Sequence, residues 1–415
     1  MYKKYTARFV AVFFLSIYGC CVFAMNITRP YDPFVRAETK PGYRMQVSAL
    51  GQASFGSAKG YNEDGCKVNI LRIWNTDQNA LKMLDGFDEN SKIGQMRVRV
   101  GANDDGVRGH FLVDGNFSAY GFALSSQWAL PAHFSVALHL PFYFMRLKNV
   151  RWTEQTKNVT ADDARTKQYL TNDFFANVCE LGDGLDLGGW KRNGIGDISL
   201  IGQWLQDFKQ SKPFLKNVRV NARAGLNIPS GKRKDEDKIF ALPFGTDGGL
   251  GLTFGSGLDL TFRSCIRAGF DVELQHVFGN KRCRRIKTDD DQTELLLLAK
   301  TDVFKDFGLR QQFSLYAQGY HFWKGLSCML GYQFVRHGDD ILSVFDHQYS
   351  EDIANCAQHL QEWTMHNMFF KLSYNFSCED DCTIHPYIAA WVRIPFNGKS
   401  SAQVNGVGFI ISIDF

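Results

Sequence analysis

Residues 217–228 alternate apolar and polar side chains without a lapse, and no other feature of the chain limits its fold so strongly. Val218, Val220, Ala222, Ala224, Leu226 and Ile228 share one face of an extended strand, while Asn217, Arg219, Asn221, Arg223, Gly225 and Asn227 share the other. Successive side chains of a strand point to opposite sides, so period two marks a ribbon with one oily and one polar face. No charge strays onto the oily face. An Arg facing lipid at mid-bilayer costs about 2–4 kcal/mol, so such segregation suits a strand that meets membrane.

The pattern recurs along the chain. Met45, Val47, Ala49 and Ala53 oppose Arg44, Gln46, Ser48 and Gln52; Val136, Leu138 and Leu140 oppose Ser135 and His139. Ala268, Phe270, Val272 and Leu274 oppose Arg267, Asp271, Glu273 and Gln275, and Met368, Phe370 and Leu372 oppose Asn367, Lys371 and Ser373. Ile388, Ala390, Val392 and Ile394 oppose Tyr387 and Arg393. Alternation alone also fits a water-soluble sandwich, whose apolar faces turn inward. Two features favour the membrane. The last strand sets Val407, Phe409, Ile411, Ile413 and terminal Phe415 on one face, which resembles the assembly signal of bacterial outer-membrane barrels. The joins also alternate in length. Short ones fall at 130–132, 205–216, 255–257, 321–325 and 377–383, and long ones at about 56–108, 145–194, 229–247, 279–309 and 337–362. Short turns on one side and long loops on the other, with an even strand number, describe an all-β, transmembrane, antiparallel up-and-down β-barrel. The count is twelve strands, with fourteen as the alternative if 92–100 and 295–306 are strands. Residues 75–84 read as a short helix in the first long loop.

Composition agrees. Aromatics reach 14%, with 35 Phe and 15 Tyr, and 38 Gly outnumber 10 Pro, as many strands joined by turns require. A mean hydropathy of −0.23 is far too polar for a bundle of membrane helices. Lys3, Lys4 and Arg8 precede an apolar run from Phe9 to Ala24, with Val22 and Ala24 at the small-residue positions of a cleavage site. This reads as a secretory signal cut after Ala24; lipid attachment at Cys20 or Cys21 is the rival, disfavoured by Tyr18. The expected division is therefore signal 1–24, a periplasmic segment 25–42 and a barrel 43–415, placed in the outer membrane. Loss of the signal lowers the formal net charge from +4 to +1, which gives no reason to expect nucleic acid as a partner. The expected partners are outer-membrane lipid, the barrel assembly machinery and a small-molecule solute.

Eight cysteines lie beyond the signal: Cys66, Cys179, Cys265, Cys283, Cys328, Cys356, Cys378 and Cys382. An exported chain meets an oxidising compartment, so disulfides are allowed, with the pairing open. The spacing of Cys378 and Cys382 fits a closed turn better than a metal site, because no partner pair stands at zinc-site spacing. No metal or cofactor is expected.

Three blocks in the middle of the chain resemble a known family. Gly194-Ile195-Gly196-Asp197-Ile198-Ser199-Leu200, then Arg223-Ala224-Gly225-Leu226-Asn227-Ile228-Pro229-Ser230-Gly231-Lys232, then Asp247-Gly248-Gly249-Leu250-Gly251-Leu252 are similar to the outer-membrane channels grouped with the MetA pathway of phenol degradation, relatives in style of FadL-type channels. The match covers about residues 194–259. It implies passive passage of small, apolar or aromatic molecules across the outer membrane. The long cysteine-bearing loops 56–108 and 145–194 depart from that family.

No GxSxG, HExxH, P-loop or dinucleotide fingerprint is present, so no enzyme is expected. His133, Ser135, His139 and His385 read as structural hydrogen-bonders, although a barrel enzyme using His133 or His139 is a third reading. The expected lumen-lining groups are Arg44, Asp197, Arg219, Arg223, Arg267, Asp271, Glu273, Lys371 and Arg393, with Asp259 beside them. Mixed signs suit ion-pair ladders that brace the wall. The charged runs 231–238 and 281–291 read as solvated loop tips. The loop 145–194, with Phe174, Phe175, Leu181, Leu185 and Leu187, is expected to fold inward as a constriction. Two functions follow: a porin-like channel for small solutes, or a surface-interaction barrel with a plugged lumen.

Overall fold

The computed structural model describes residues 28–38, 42–56, 59–101, 108–155, 164–171, 173–263, 265–323, 325–376 and 384–415. The signal segment and the Cys378–Cys382 spacing lie outside them.

Twelve strands close an antiparallel barrel, with two extra strands attached to its sheet. The wall strands are β1 (Met45–Ser54), β2 (His110–Ala129), β3 (Phe134–Glu154), β4 (Ile198–Lys209), β5 (Leu215–Ile228), β6 (Gly251–Phe262), β7 (Ile266–Val277), β8 (Arg310–Trp323), β9 (Leu326–His337), β10 (Trp363–Asn375), β11 (His385–Lys399) and β12 (Gly406–Asp414). Each pairs with its sequence neighbours, and β1 closes on β12 with Val47 opposite Ile413 and Ala49 opposite Ile411. The extra strands, Gln78–Asn79 and Trp190–Ile195, pair with the outer parts of β2 and β3. The tight joins between β2 and β3 and between β6 and β7 use left-handed backbone at Ala132, His133 and Arg263, and Gly325 does so just before β9, as tight hairpin turns demand.

The faces settle which side the oily residues meet. In β5, Leu226 and Ile228 are 40% and 44% exposed, whereas Arg223 and Asn227 are 6% and 2% exposed. The same inversion holds around the wall: Phe254, Phe270, Leu315, Leu330, Phe370 and Ile394 are exposed, while Asp271, Glu273, Gln312, Gln333, Asn367 and Arg393 are buried. Large apolar groups left outside in this number belong in hydrocarbon, since a water-soluble monomer rarely exposes a patch beyond a few hundred Å². At the turn end, Trp128, Phe134, Phe208, Phe214, Phe322 and Trp323 are exposed, forming the aromatic girdle of an interface.

Several expectations need correction. Residues 255–257 are no turn: Gly255 and Gly257 sit mid-strand in β6, opposite Arg223 and Asn221 of β5. A Cβ on Gly255 would stand 2.7 Å from the Arg223 guanidinium, and one on Gly257 would stand 2.5 Å from Asn221 and 2.8 Å from Asp271. These glycines make room for side chains inside the barrel. The join 205–216 is shorter than expected, because β4 runs to Lys209 and β5 starts at Leu215. Residues 92–101 form a helix, α1 (Lys92–Gly101), whose first turn is capped where Ser91 Oγ accepts from Gly94 N at 3.0 Å. Ile93, Met96 and Val100 face a core while Val98 is exposed, so helical spacing overrides the short alternation. Residues 75–84 form the short strand Gln78–Asn79 and a 3-10 turn instead of a helix, and Lys300–Asp306 joins a small sheet at the loop end instead of the wall.

The described residues of the loop 145–194 lie at the outer end of the barrel and do not line the cavity within it. The loop's helix α3 (Phe174–Leu181), which follows α2 (Ala164–Thr171), packs over the outer ends of β2 and β3; Phe174 stacks on Phe111 at 4.6 Å. Phe174, Leu181, Leu185 and Leu187 are buried and Phe175 is exposed. The segment that enters the barrel is residues 28–38, and this part of the expected periplasmic segment lies within the wall. Cys66, Cys179, Cys265, Cys283, Cys328 and Cys356 are free thiols.

Candidate functional site

Inside the barrel, the polar faces of β5, β6 and β7 carry a compact ion cluster. Arg223 donates two bonds of 2.6 Å to the Asp271 carboxylate and one of 3.0 Å to Glu273. A planar guanidinium fits a carboxylate in this forked way. Glu273 also accepts from Arg29, which reaches Gln275 at 3.2 Å and Gln312 at 3.1 Å. Arg29 belongs to the N-terminal segment, and so do the next contacts down the barrel. Tyr31 donates to Asn227 at 3.1 Å, Asp32 accepts from Gln333 at 3.0 Å, and Phe34 packs on Phe369 at 4.7 Å between ring centroids. Gly331 makes that packing feasible, since a Cβ there would come within 2.8 Å of the Phe34 ring. Lower still, Glu38 pairs with Arg267 at 3.0 Å and Lys371 donates to the Arg36 carbonyl at 3.0 Å. The segment runs antiparallel to β1: the Glu38 carbonyl accepts from Gln46 and the Thr28 carbonyl from Gln52.

Of the residues singled out in the sequence, Asp197, Arg223, Arg267, Asp271, Glu273, Lys371 and Arg393 are buried, and Asp259 is buried and accepts from Tyr316 at 2.6 Å. Arg219 is half-buried near the turn end, paired with Asp207 at 2.9 Å. Arg44 stands apart, exposed just ahead of β1. His139 is buried and bonded to Ser125 at 2.7 Å. On the outer wall, Phe409, Ile411 and Ile413 are half-buried and Phe415 is exposed.

Asp197 explains why the three similar sequence blocks belong together. Its carboxylate accepts from Gly231 N at 2.9 Å, Thr246 N at 2.6 Å and Thr246 Oγ1 at 2.7 Å. Ser230 bridges Ile198 N and the Gly196 carbonyl. A Cβ on Gly245 would overlap Asp197 at 2.1 Å. The start of β4, the turn after β5 and the approach to β6 are thus tied at one point.

From that point the loop 229–250 covers the barrel. The two charged runs meet each other through their inner residues, while Lys232, Arg233, Lys281, Asp290 and Asp291 stay exposed. Arg282 bonds Asp247 at 2.7 Å and also Glu236; Arg284 pairs with Asp247, and Arg285 bonds Asp237 at 2.7 Å. Arg284, Arg285 and Lys287 are buried, as is the Glu236 side chain. Read singly, each run looked solvated; their complementarity shows only when both are placed. A second pair, Lys305 and Asp340 at 2.6 Å, includes His337 at 3.0 Å. Burial would raise these carboxyls, but Lys234 and Arg282 pull Glu236 down to about 2, and Lys305 with His337 holds Asp340 well below the usual carboxylate range. A depressed carboxyl contributes stability that is whole above its unfolded value, here 4.5 for Glu and 3.8 for Asp, and is lost as pH falls toward the folded value. The cap is therefore expected to keep its protection between about pH 5 and 8 and to loosen below about pH 4.5. Hydrogen exchange over 231–238 and 281–291 measures this; unchanged protection at pH 3 would contradict it.

Between the N-terminal segment and the loops lies a cavity of about 280 Å³. Arg29, Pro30 and Tyr31 contribute from the segment, Tyr143, Ser199, Asn227 and Gln275 from the wall, and Trp74, Leu242, Phe244, Phe307 and Trp363 from the loops and strand ends. No described residue between 145 and 194 lines it. The loop residues and the whole 28–38 segment escaped sequence reasoning. Arg29-Pro30-Tyr31-Asp32-Pro33-Phe34 did carry a signal: two prolines, two aromatics and opposite charges without alternation, in a stretch too apolar for a solvated tail.

No protein-family model matches the sequence, and no curated protein matches it. Among solved structures, an outer-membrane channel from Pseudomonas putida F1 is similar over 94% of this chain and 100% of its own, with a TM-score of 0.50 and 10% identity. A FadL homologue from Pseudomonas aeruginosa matches 90% of each chain at a TM-score of 0.29 and 7% identity. The chain shares the β-barrel fold of the Pseudomonas putida structure, the fold that the resemblance across residues 194–259 implies.

Proposed function

We propose that this protein is an outer-membrane channel for small apolar or aromatic solutes, closed at rest by its own N-terminal segment. The carrying observation is the cavity of about 280 Å³ inside the barrel, lined by Arg29 to Tyr31 from the N-terminal segment and by Trp74, Leu242, Phe244 and Phe307 from the loops. That is a waiting place within a path, close to the lower end of small-molecule pockets, about 300 Å³. The aromatic lining of Trp74, Tyr143, Phe244, Phe307 and Trp363 suits flat apolar solutes. Export with cleavage after Ala24, and recognition of the strand carrying Phe409, Ile411, Ile413 and Phe415 by the assembly machinery, belong to the same reading. The occupied lumen favours one rival, a sealed barrel that works through its outer loops. Planar-bilayer recording separates them. The full chain is expected to give small, discrete openings; silent bilayers containing demonstrably folded, heat-modifiable protein would leave the sealed barrel.

A further inference from the structure

We propose that the cavity between the N-terminal segment and the loops is a binding site for a small amphipathic carboxylate, an aromatic or aliphatic acid, and not for neutral hydrocarbons. This deepens the channel reading and rests on it. The lining holds six Arg and Lys side chains, Arg29, Lys234, Arg284, Arg285, Lys305 and Arg310, against three Asp. The acids are spent on the wall: Asp197 on Gly231 and Thr246, Asp247 on Arg282, Arg284 and Lys234 N, and Asp340 on Lys305, His337 and Gly308 N. The cations are not all spent. The buried Nε–H groups of Arg29 and Arg284 have no acceptor among the described residues. Buried donors demand acceptors, and a hydrocarbon offers none, whereas a carboxylate offers two oxygens with about four lone-pair sites. Apolar surface stands close by. Arg284 and Lys305 lie 5.9 and 5.0 Å from the Phe307 ring centre, and Tyr143 packs edge-on against Phe244 at 6.1 Å. Cations flanking one ring and a separate aromatic pair suit a ligand with an anionic head and an apolar body.

The test is equilibrium binding to the full-length protein in detergent, read by the fluorescence of Trp74 and Trp363 and by calorimetry. The probes are phenylacetate and its neutral isostere phenylacetamide. Phenylacetate is expected to bind at least about tenfold more tightly, the scale of one charge-assisted hydrogen bond. Arg284→Gln should erase most of that preference while phenylacetamide affinity stays put; Lys305→Gln repeats the test at a second cation should Arg284→Gln fail to fold. Equal affinity for the two probes in the unaltered protein overturns the carboxylate site, whatever the bilayers report. Preferential phenylacetate binding beside silent bilayers upholds the site and removes the channel reading instead.

Discussion

A chain lacking residues 25–38 is expected to conduct several-fold more than the full protein in planar bilayers, with larger unitary steps. The lumen of a twelve-strand barrel is narrow, because diameter grows with strand number, so one peptide strand laid along it removes much of the free cross-section. Residues 28–38 do so with contacts at every level: Arg29 to Glu273 and Gln275, Tyr31 to Asn227, Asp32 to Gln333, Phe34 to Phe369, and Glu38 to Arg267. None of these is needed to close the wall, whose ladder runs from β1 to β12 without the segment. Glu273 keeps Arg223 as a partner when Arg29 is gone. The truncated protein should therefore still fold, and its unheated mobility on a gel checks that. A milder variant, Phe34→Ala, removes the packing against Phe369 and Tyr316 and should give frequent brief openings at the full-length unitary size. Identical traces from full-length, truncated and Phe34→Ala proteins would mean that the segment is no barrier and that the loop cap alone sets conductance.

The wall was legible because a membrane punishes lapses. Each strand face that meets lipid must exclude charge for its full depth, and this leaves period two in the sequence wherever β5, β7 or β10 crosses. The inside obeys no such rule. Its residues answer to distant partners, so Gly255 and Gly257 look like a turn until Arg223 and Asp271 are placed beside them. The loop end is still less legible. Runs 231–238 and 281–291 neutralise each other across the mouth, and nothing local in either one announces the other. The N-terminal segment is the extreme case: it has no periodicity because it forms no element, and its meaning lies in Gln275, Gln333 and Arg267, each more than 200 residues away. Sequence therefore gave the container, while contact with the container determines the contents.

Arg223→Met is expected to destabilise the barrel by about 3–5 kcal/mol, far more than any single change on the outer loops. Arg223 is the partner of both Asp271 and Glu273, and all three side chains are nearly sealed from solvent, at 2%, 5% and 1% exposure. Taking out the guanidinium strands Asp271 without its ion-pair partner and leaves Glu273 to Arg29, and a poorly compensated buried charge is what makes such a loss costly. Met fills a similar space, so the penalty reports charge more than a void. Arg219→Met supplies the contrast on the same face of the same strand. Its pair with Asp207 is partly solvated, at 18% and 33% exposure, and such pairs contribute about 0–1 kcal/mol. Unfolding midpoints in urea, followed by loss of the compact gel form, should thus fall sharply for Arg223→Met and little for Arg219→Met. Adding Asp271→Asn to Arg223→Met removes the stranded carboxylate while Glu273 keeps Arg29, and should restore most of the loss. Equal midpoints for the two single variants would mean that water reaches the cluster, and that the lumen at this depth is wet enough to screen it.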